Sequence, residues 1–323
     1  MRVLLTGAAG FIGFHVAQAL LARGDEVIGV DNLNGYYDVS LKQARLDQLT
    51  PNKNFSFYKI NIADKNAMFG LIKHKPTHIV HLAAQAGVRY SLENPYAYVE
   101  SNLMGQVVML ELARQLPGLK HFVYASSSSV YGANTKIPFA VEDAVERPKS
   151  FYAATKRADE LMTWTYSNLY KIPSTGLRFF TVYGPWGRPD MAAYLFTKQI
   201  MAGEPIKLFN NGKMRRDFTY IDDIVAGVLA AISYIPTGKD SAPAHIYNLG
   251  NSRAEDLMDF VAVLEKALGK KAQYDFQPMQ PGDVHETFAD IASTTRDLGF
   301  KPKTNLSEGL QHFVGWYKKF HKA

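Results

Sequence analysis

Short apolar runs rich in β-branched residues alternate with longer amphipathic stretches from the first residue onward. Runs of the first kind are RVLLTG (2–7), EVIGVD (26–31), FSFYKINI (55–62), HIVHLA (78–83), HFVYAS (121–126) and STGLRFFTVYG (174–184). Between them, residues 11–23, 64–74, 95–116 and 151–170 place apolar side chains at helical spacing. Strand, helix, strand at this rhythm predicts parallel βαβ units, and so an α/β protein built on a Rossmann-type doubly wound sheet. The two longer helical stretches carry apolar stripes, Val107-Leu110-Leu112 and Leu161-Trp164-Leu169, which are expected to face that sheet.

After Gly184 the rhythm breaks. Pro185, Pro189, Pro205 and the turn NNGK mark irregular structure, with 204–216 reading as a hairpin turn. Helical patterns return at 191–202, 220–234, 254–268 and 306–320. HIYNLG (245–250) reads as one more strand, able to return to the main sheet. A smaller second domain is therefore expected over the carboxyl ends of the parallel strands.

Bulk properties narrow the class without naming it. The 323 residues include 36 basic and 30 acidic ones, and the net charge of +6 is spread along the chain with only short clusters at KMRR (213–216) and the end. That distribution suits an anionic small ligand better than nucleic acid. Without cysteine, disulfides, thiolate metal sites and thiol nucleophiles are impossible. No apolar run reaches the ~18 residues that a membrane span needs, and the start lacks a signal-peptide layout, so a cytoplasmic protein is expected. His78 and His81 fall on opposite faces of one strand and cannot share an ion, so no metal site is expected near His74.

Chemistry first becomes legible at TGAAGFIG. Gly7, Gly10 and Gly13 sit at the turn from the first strand into the first helix. Glycine there permits a tight turn and close approach of a pyrophosphate to backbone N–H groups. Asp31 ends the second strand, where a carboxylate can accept both hydroxyls of an adenosine ribose and repel a 2′-phosphate, favouring NAD over NADP. The expected division is a NAD-binding domain of 1–180 plus 217–250 and a substrate domain of 181–216 plus 251–323. Further along, Tyr152 and Lys156 lie four apart on one helix face. A neighbouring ammonium favours the phenolate, which makes such a tyrosine a general base for an alcohol proton.

The glycine triplet, Asp31, HLAAQAGV, Asn102, SSSSVYG and Tyr152-x-x-x-Lys156 resemble the extended short-chain dehydrogenase/reductase family, and within it the nucleotide-sugar epimerases. The likeness runs nearly end to end, through RRDFTYIDDIV and YNLG. It implies cofactor contacts from Phe11, Ile12, Asn32, Asn61, Ile62, Leu82, Ala83, Ala84, Gln85, Asn102, Ser126 and Phe179, besides Gly7, Gly10, Gly13, Asp31, Tyr152 and Lys156. It also implies that Ser127 bonds the reacting sugar hydroxyl, with Ser128 and Ser129 lining the same pocket, and that Arg89 touches the substrate.

Three exits follow oxidation of a sugar C4 hydroxyl: reduction on the other face, loss of water, or loss of a C6 carboxylate. The dehydrating and decarboxylating relatives place acidic residues immediately before Val-Tyr-Gly. This chain has Ser128-Ser129 there, which leaves epimerisation. RFFTVYGPWGRPDMA (178–192) and QPGDVHETFADI (280–291) closely resemble the branch acting on UDP-glucuronate, and imply that Thr181 and Arg188 meet the sugar carboxylate. Arg216 matches the diphosphate contact. Gln280 stands where galactose epimerases carry a second phosphate-binding arginine, and Asp283 is expected at a ribose or a neighbouring arginine. The resemblance further implies a homodimer. A UDP-glucose/UDP-galactose 4-epimerase and a non-catalytic NAD-binding scaffold stay open as alternatives.

Overall fold

The computed structural model describes residues 1–238, 242–280 and 284–322. Its main sheet holds seven parallel strands: β1 (Arg2–Thr6), β2 (Glu26–Asp31), β3 (Phe55–Lys59), β4 (His78–His81), β5 (His121–Ser127), β6 (Ser174–Phe179) and, last in sequence, the strand Ala244–Leu249. Between β6 and that last strand lie β7 (Thr181–Tyr183), β8 (Ile206–Leu208), β9 (Arg215–Arg216) and β10 (Phe218–Tyr220), so Ala244–Leu249 is β11. Three short strands follow, β12 (Glu255–Asp256), β13 (Tyr274–Phe276) and β14 (Glu286–Thr287).

The main sheet runs in the order β11-β6-β5-β4-β1-β2-β3. Its winding reverses between β1 and β4, and in such sheets ligands bind beyond the carboxyl ends of the strands at that point. The sheet interior explains its stability. Val3, Leu4 and Leu5 of β1, Ile79 and Val80 of β4 and Phe122 of β5 are wholly buried. Burying a side chain of that size contributes roughly 1.5–3 kcal/mol. HIYNLG does return to the sheet, with Ala244 opposite Ser174 and Leu249 opposite Phe179.

Several boundaries depart from the periodicity. The stretch 174–184 is two strands. Phe180 donates its N–H to Leu249 O, and Thr181 then turns to Asp217 O, both at 3.1 Å. From there β7 pairs with β10 instead of the main sheet. Segment 204–216 is no hairpin, because β8 pairs with β13 and β9 with β12 and β14. Its turn is made by Asn210 and Asn211 at positive φ, which asparagine tolerates. A helix at Val39–Leu49, capped by Asp38, was not marked by the apolar pattern; its apolar residues are spaced among buried Lys42 and Arg45.

Residues 95–116 form a composite of α-helix (Pro95–Tyr98), π-helix (Val99–Met104) and α-helix (Gly105–Arg114). The π segment, a local feature common at functional sites, carries Asn102, whose amide pins the backbone of Gln85. The apolar stripe of the helix Phe151–Tyr170 does not face the sheet. Leu161, Trp164 and Leu169 are 53 %, 56 % and 61 % exposed. The inward face is taken instead by Thr155, Lys156, Asp159, Glu160 and Thr163. Leu110 and Leu112 of the neighbouring helix are buried as expected, whereas Val107 is exposed.

Candidate active site

A single cleft of about 900 Å³ runs across the carboxyl ends of β1, β2, β4, β5 and β6 and continues under β7–β10. At one end is the glycine turn. Gly7 has φ +74°, and a side chain there would meet the Ala83 backbone N at 2.9 Å. A methyl on Gly13 would fall 2.0 Å from the Gly7 carbonyl oxygen. The turn delivers the helix Phe11–Ala22, whose N-terminal residue Gly10 offers no side-chain cap. Its first N–H groups therefore open on the cleft, a cradle suited to a pyrophosphate. At the tip of β2, Asp31 is held by N–H donors from Ala9 and Leu33 at 3.1 and 2.9 Å, and it walls the same cleft. These residues fit NAD. Phe11, Ile12, Asn32, Ile62, Leu82, Ala83, Ala84, Gln85 and Phe179 line the cleft with them.

Two expected cofactor residues stand behind that wall. Asn61 donates to Glu100 at 2.7 Å and caps Ala63, while Asn102 bonds Gln85 and Thr155. Their amides hold backbone and neighbouring side chains, so they shape the wall without forming it. Beneath the turn, His81 Nδ1 meets Thr6 Oγ1 at 2.7 Å, and Thr6 also accepts from Ala83 N–H. Burial and then Lys156 hold His81 neutral, its pKa lowered to about 3. His78 pairs with Thr77, and His74 with Tyr58.

At the centre, Tyr152, Lys156 and Ser126–Ser129 line the cleft. Lys156 is 3 % exposed, and its ammonium donates to Asp159 Oδ2 and Ala125 O, both at 2.9 Å. Burial opposes the charge, yet the Asp159 carboxylate, by charge and hydrogen bond, leads the groups that outweigh it and hold the ammonium above the ordinary lysine pKa. Ser127 ends β5 and caps the 3-10 turn Ser128–Tyr131; its hydroxyl donates to Ser129 Oγ at 3.1 Å. The cap role explains a hydroxyl at the end of a core strand, and Ser127 still lines the cleft beside Ser128 and Ser129. Ser126 points its hydroxyl elsewhere, to Glu160 Oε1 at 2.6 Å.

Glu160 belongs to a buried network that sequence reasoning missed. Arg178 forks onto both Glu160 oxygens at 2.8 and 3.0 Å and donates to the Tyr131 hydroxyl, which in turn reaches Asn248 Oδ1 at 2.7 Å. This ties the serine turn to β6 and β11. The only signal in the sequence is a glutamate and an arginine where a buried helix face and a central strand should be apolar.

At the far end, Arg89, Thr181, Arg188 and Arg216 line the cleft. Arg89 stacks over the Phe209 ring at 4.1 Å, and Arg216 donates to the His285 carbonyl at 3.0 Å. Arg188 is forked side-on by Asp190. Gln280 does not reach the wall; its amide lies by the Pro278 carbonyl. Asp283 lies outside the described residues. Tyr36, Lys42, Asp190 and Phe209 also line the cleft and went unmarked, for their neighbours in sequence give no motif.

A Rossmann sheet with a capless glycine turn, a ribose-side aspartate and a Tyr-x-x-x-Lys helix over a serine turn defines a dinucleotide-dependent enzyme of sugar chemistry. The chain belongs to the NAD dependent epimerase/dehydratase family, whose model matches residues 3–250. It is 46 % identical over 337 residues to a probable UDP-glucuronate 4-epimerase of Rhizobium meliloti, covering 100 % of this chain and 98 % of the relative. Its structure is similar to that of the UDP-glucuronic acid 4-epimerase of Bacillus cereus in complex with UDP-glucuronic acid and NAD, with TM-score 0.91 and 35 % identity over 99 % of this chain and 100 % of the other. The UDP-glucose 4-epimerase of Thermotoga maritima is also similar, with TM-score 0.88 and 30 % identity over 99 % and 100 %.

Proposed function

We propose that the protein inverts C4 of UDP-glucuronate to give UDP-galacturonate, using tightly held NAD. The observation that carries this reading is a triplet of hydroxyls, Ser127–Ser129, in one cleft with Tyr152, Thr181 and Arg188, and no carboxylate at the serine turn. Similarity at 46 % identity to a probable UDP-glucuronate 4-epimerase supports the choice of a uronic acid over a neutral hexose.

NAD, held by the glycine turn and Asp31, would supply a reversible hydride acceptor for C4 of the sugar. Tyr152 takes the C4 hydroxyl proton as C4 becomes a ketone, with Ser127 orienting that hydroxyl. Lys156 keeps a positive charge beside the phenol and stabilises its anion. A uronate has no C6 hydroxyl to lose as water, and the serine turn carries no carboxylate to assist loss of carbon dioxide. After rotation of the sugar about its link to the diphosphate, C4 regains its hydride on the other face and Tyr152 returns the proton to the C4 oxygen. Thr181 and Arg188 hold the carboxylate so that the C5–C6 bond cannot align with the ketone π system, which slows loss of carbon dioxide. Arg89 and Arg216 serve the nucleotide diphosphate. Segments 1–180 and 217–250 hold NAD, and 181–216 with 251–323 hold the nucleotide sugar.

The working form is proposed to be a cytoplasmic homodimer. Supporting it, the helices Gly105–Arg114 and Phe151–Tyr170 pack side by side through Gln106–Thr163 and Glu111–Tyr166, and present Val107, Leu161 and Trp164 outward. Among the described residues no helix is long and apolar enough to cross a membrane.

The test is NMR of the purified protein with UDP-glucuronate and, separately, UDP-glucose. Inversion of the first with little turnover of the second is expected. Turnover of UDP-glucose alone would reassign the substrate, and turnover of neither would leave a NAD-binding scaffold.

A further inference from the structure

The guanidinium assigned to the sugar carboxylate already holds a carboxylate. Arg188 Nε donates to Asp190 Oδ1 at 3.0 Å, and Nη2 donates to Asp190 Oδ2. Asp190 Oδ2 accepts a third bond, from the Tyr36 hydroxyl at 3.1 Å. All three side chains wall the cleft, although Tyr36 and Asp190 are 154 residues apart in sequence.

From this geometry we infer that Asp190, anchored by Tyr36, is a positioning residue: it fixes the plane of Arg188 so that only the outer edge of the guanidinium meets the sugar carboxylate. The inference rests on the uronate reading above. A guanidinium has five N–H groups in a rigid plane. Asp190 takes the side edge, Nε with one hydrogen of Nη2, and leaves the end edge, Nη1 with the other hydrogen of Nη2. That edge is itself a two-pronged match for a planar carboxylate.

Hydrogen bonds and a ring contact fix the support behind this pair. Pro185 O lies 2.9 Å from His15 Nε2 on the pyrophosphate-facing helix. Wholly buried Arg45 donates to Trp186 O at 2.6 Å and to Ala9 O of the glycine turn at 2.8 Å. Tyr36 is placed by the Tyr90 ring, with centroids 4.9 Å apart, and by Gly87, where a methyl would lie 2.6 Å from the Tyr36 oxygen. The loop that carries Arg188 is thus bolted to the cofactor half of the cleft.

Charge and position then separate. The Arg188–Asp190 pair is neutral overall, so it offers the substrate carboxylate orientation with less net attraction than a lone arginine. Removing the charge of Asp190 strengthens attraction and loosens orientation. At the 4-ketone stage a loosely held carboxylate can leave: the C5–C6 bond breaks, carbon dioxide departs, its electron pair passes into the C4 carbonyl as an enolate, and C5 takes a proton. The product is a UDP-4-keto-pentose, with the C4 hydride left on the reduced cofactor unless it returns to that ketone to give a UDP-pentose.

The experiment compares the holoenzyme with Asp190→Asn and Tyr36→Phe by steady-state kinetics on UDP-glucuronate, with products identified by NMR. For Asp190→Asn the expected result is a kcat reduced about tenfold or more, since small misplacements carry penalties of up to about a hundredfold. KM should be no higher than the parent's, and the pentose share should rise. Tyr36→Phe, which leaves the ion pair intact, should move both quantities the same way by about two- to fivefold, and it decides the matter if Asp190→Asn does not fold. Unchanged kcat and product ratio in a folded variant, or a raised KM with no added pentose, overturns the proposal alone. No turnover of UDP-glucuronate by the parent overturns the functional reading and this inference together.

Discussion

Ser126 and Glu160 are joined by a 2.6 Å hydrogen bond between the end of β5 and the buried face of the helix that carries Tyr152 and Lys156. Arg178 closes the unit from β6, and all three side chains are at most 2 % exposed. Burial alone would raise the Glu160 pKa, but bonds from Arg178, Ser126 and Arg157 prevail and hold it below the ordinary glutamate value. A depressed carboxylate stabilises the fold above its unfolded pKa, and that contribution is lost as pH falls through the folded value. The melting temperature is therefore expected to drop as pH falls below about 4.5. Glu160→Gln should destabilise near neutral pH by about 3–5 kcal/mol, since Arg178 is left charged and buried. It should also flatten the acid limb, and thermal melts across pH check both effects.

Tyr152→Phe removes the proton acceptor and keeps the ring. The rate of C4 inversion is expected to fall by about 10²–10⁴. Bound NAD should be retained, because the glycine turn and Asp31 are untouched. NMR of the sugar products and the absorbance of extracted cofactor report the two outcomes. An unchanged rate would remove Tyr152 from the mechanism.

Gly13→Ala places a methyl 2.0 Å from the Gly7 carbonyl oxygen, a backbone atom that cannot swing aside. The helix Phe11–Ala22 must shift away from β1, which opens the pyrophosphate cradle. Loss of co-purifying NAD is expected, with a melting temperature several degrees lower. Gly24→Ala is the control for substitution itself: it has open space around it, although its φ of +87° carries strain of its own.

Trp164→Glu puts a charge in the middle of the outward apolar face, where the tryptophan is 56 % exposed. In a homodimer this costs association and leaves the monomer fold nearly unaffected. Light scattering should show half the parent mass. A parent that is already monomeric would refute the dimer.

Local pattern carried the fold a long way. Parallel strands separated by helices need only contiguous apolar runs at two periods, and the glycine turn and Tyr-x-x-x-Lys are spacings within one segment. Where the reading erred, a distant partner decided. The stretch 174–184 looks like one strand, but Asp217 O and Leu249 O draw it onto two sheets. Leu161-Trp164-Leu169 looks like a core stripe. The core side of that helix went to Lys156, Asp159 and Glu160, which can be buried because Ala125 O, Arg178 and Ser126 meet them.

What the sequence by itself determined is the chemistry that neighbouring residues can encode: a phosphate-holding turn, a ribose-side carboxylate, and a phenol four residues from an ammonium. Only the tertiary structure decided which polar groups are spent inside the protein and which remain for a ligand. Asn61, Asn102 and Ser126 turned out to hold other protein groups, and Asp190 and Tyr36 came to share one guanidinium. The physical reason is that a hydrogen bond needs its partner within about 3 Å, and chain folding, not adjacency in sequence, supplies that partner.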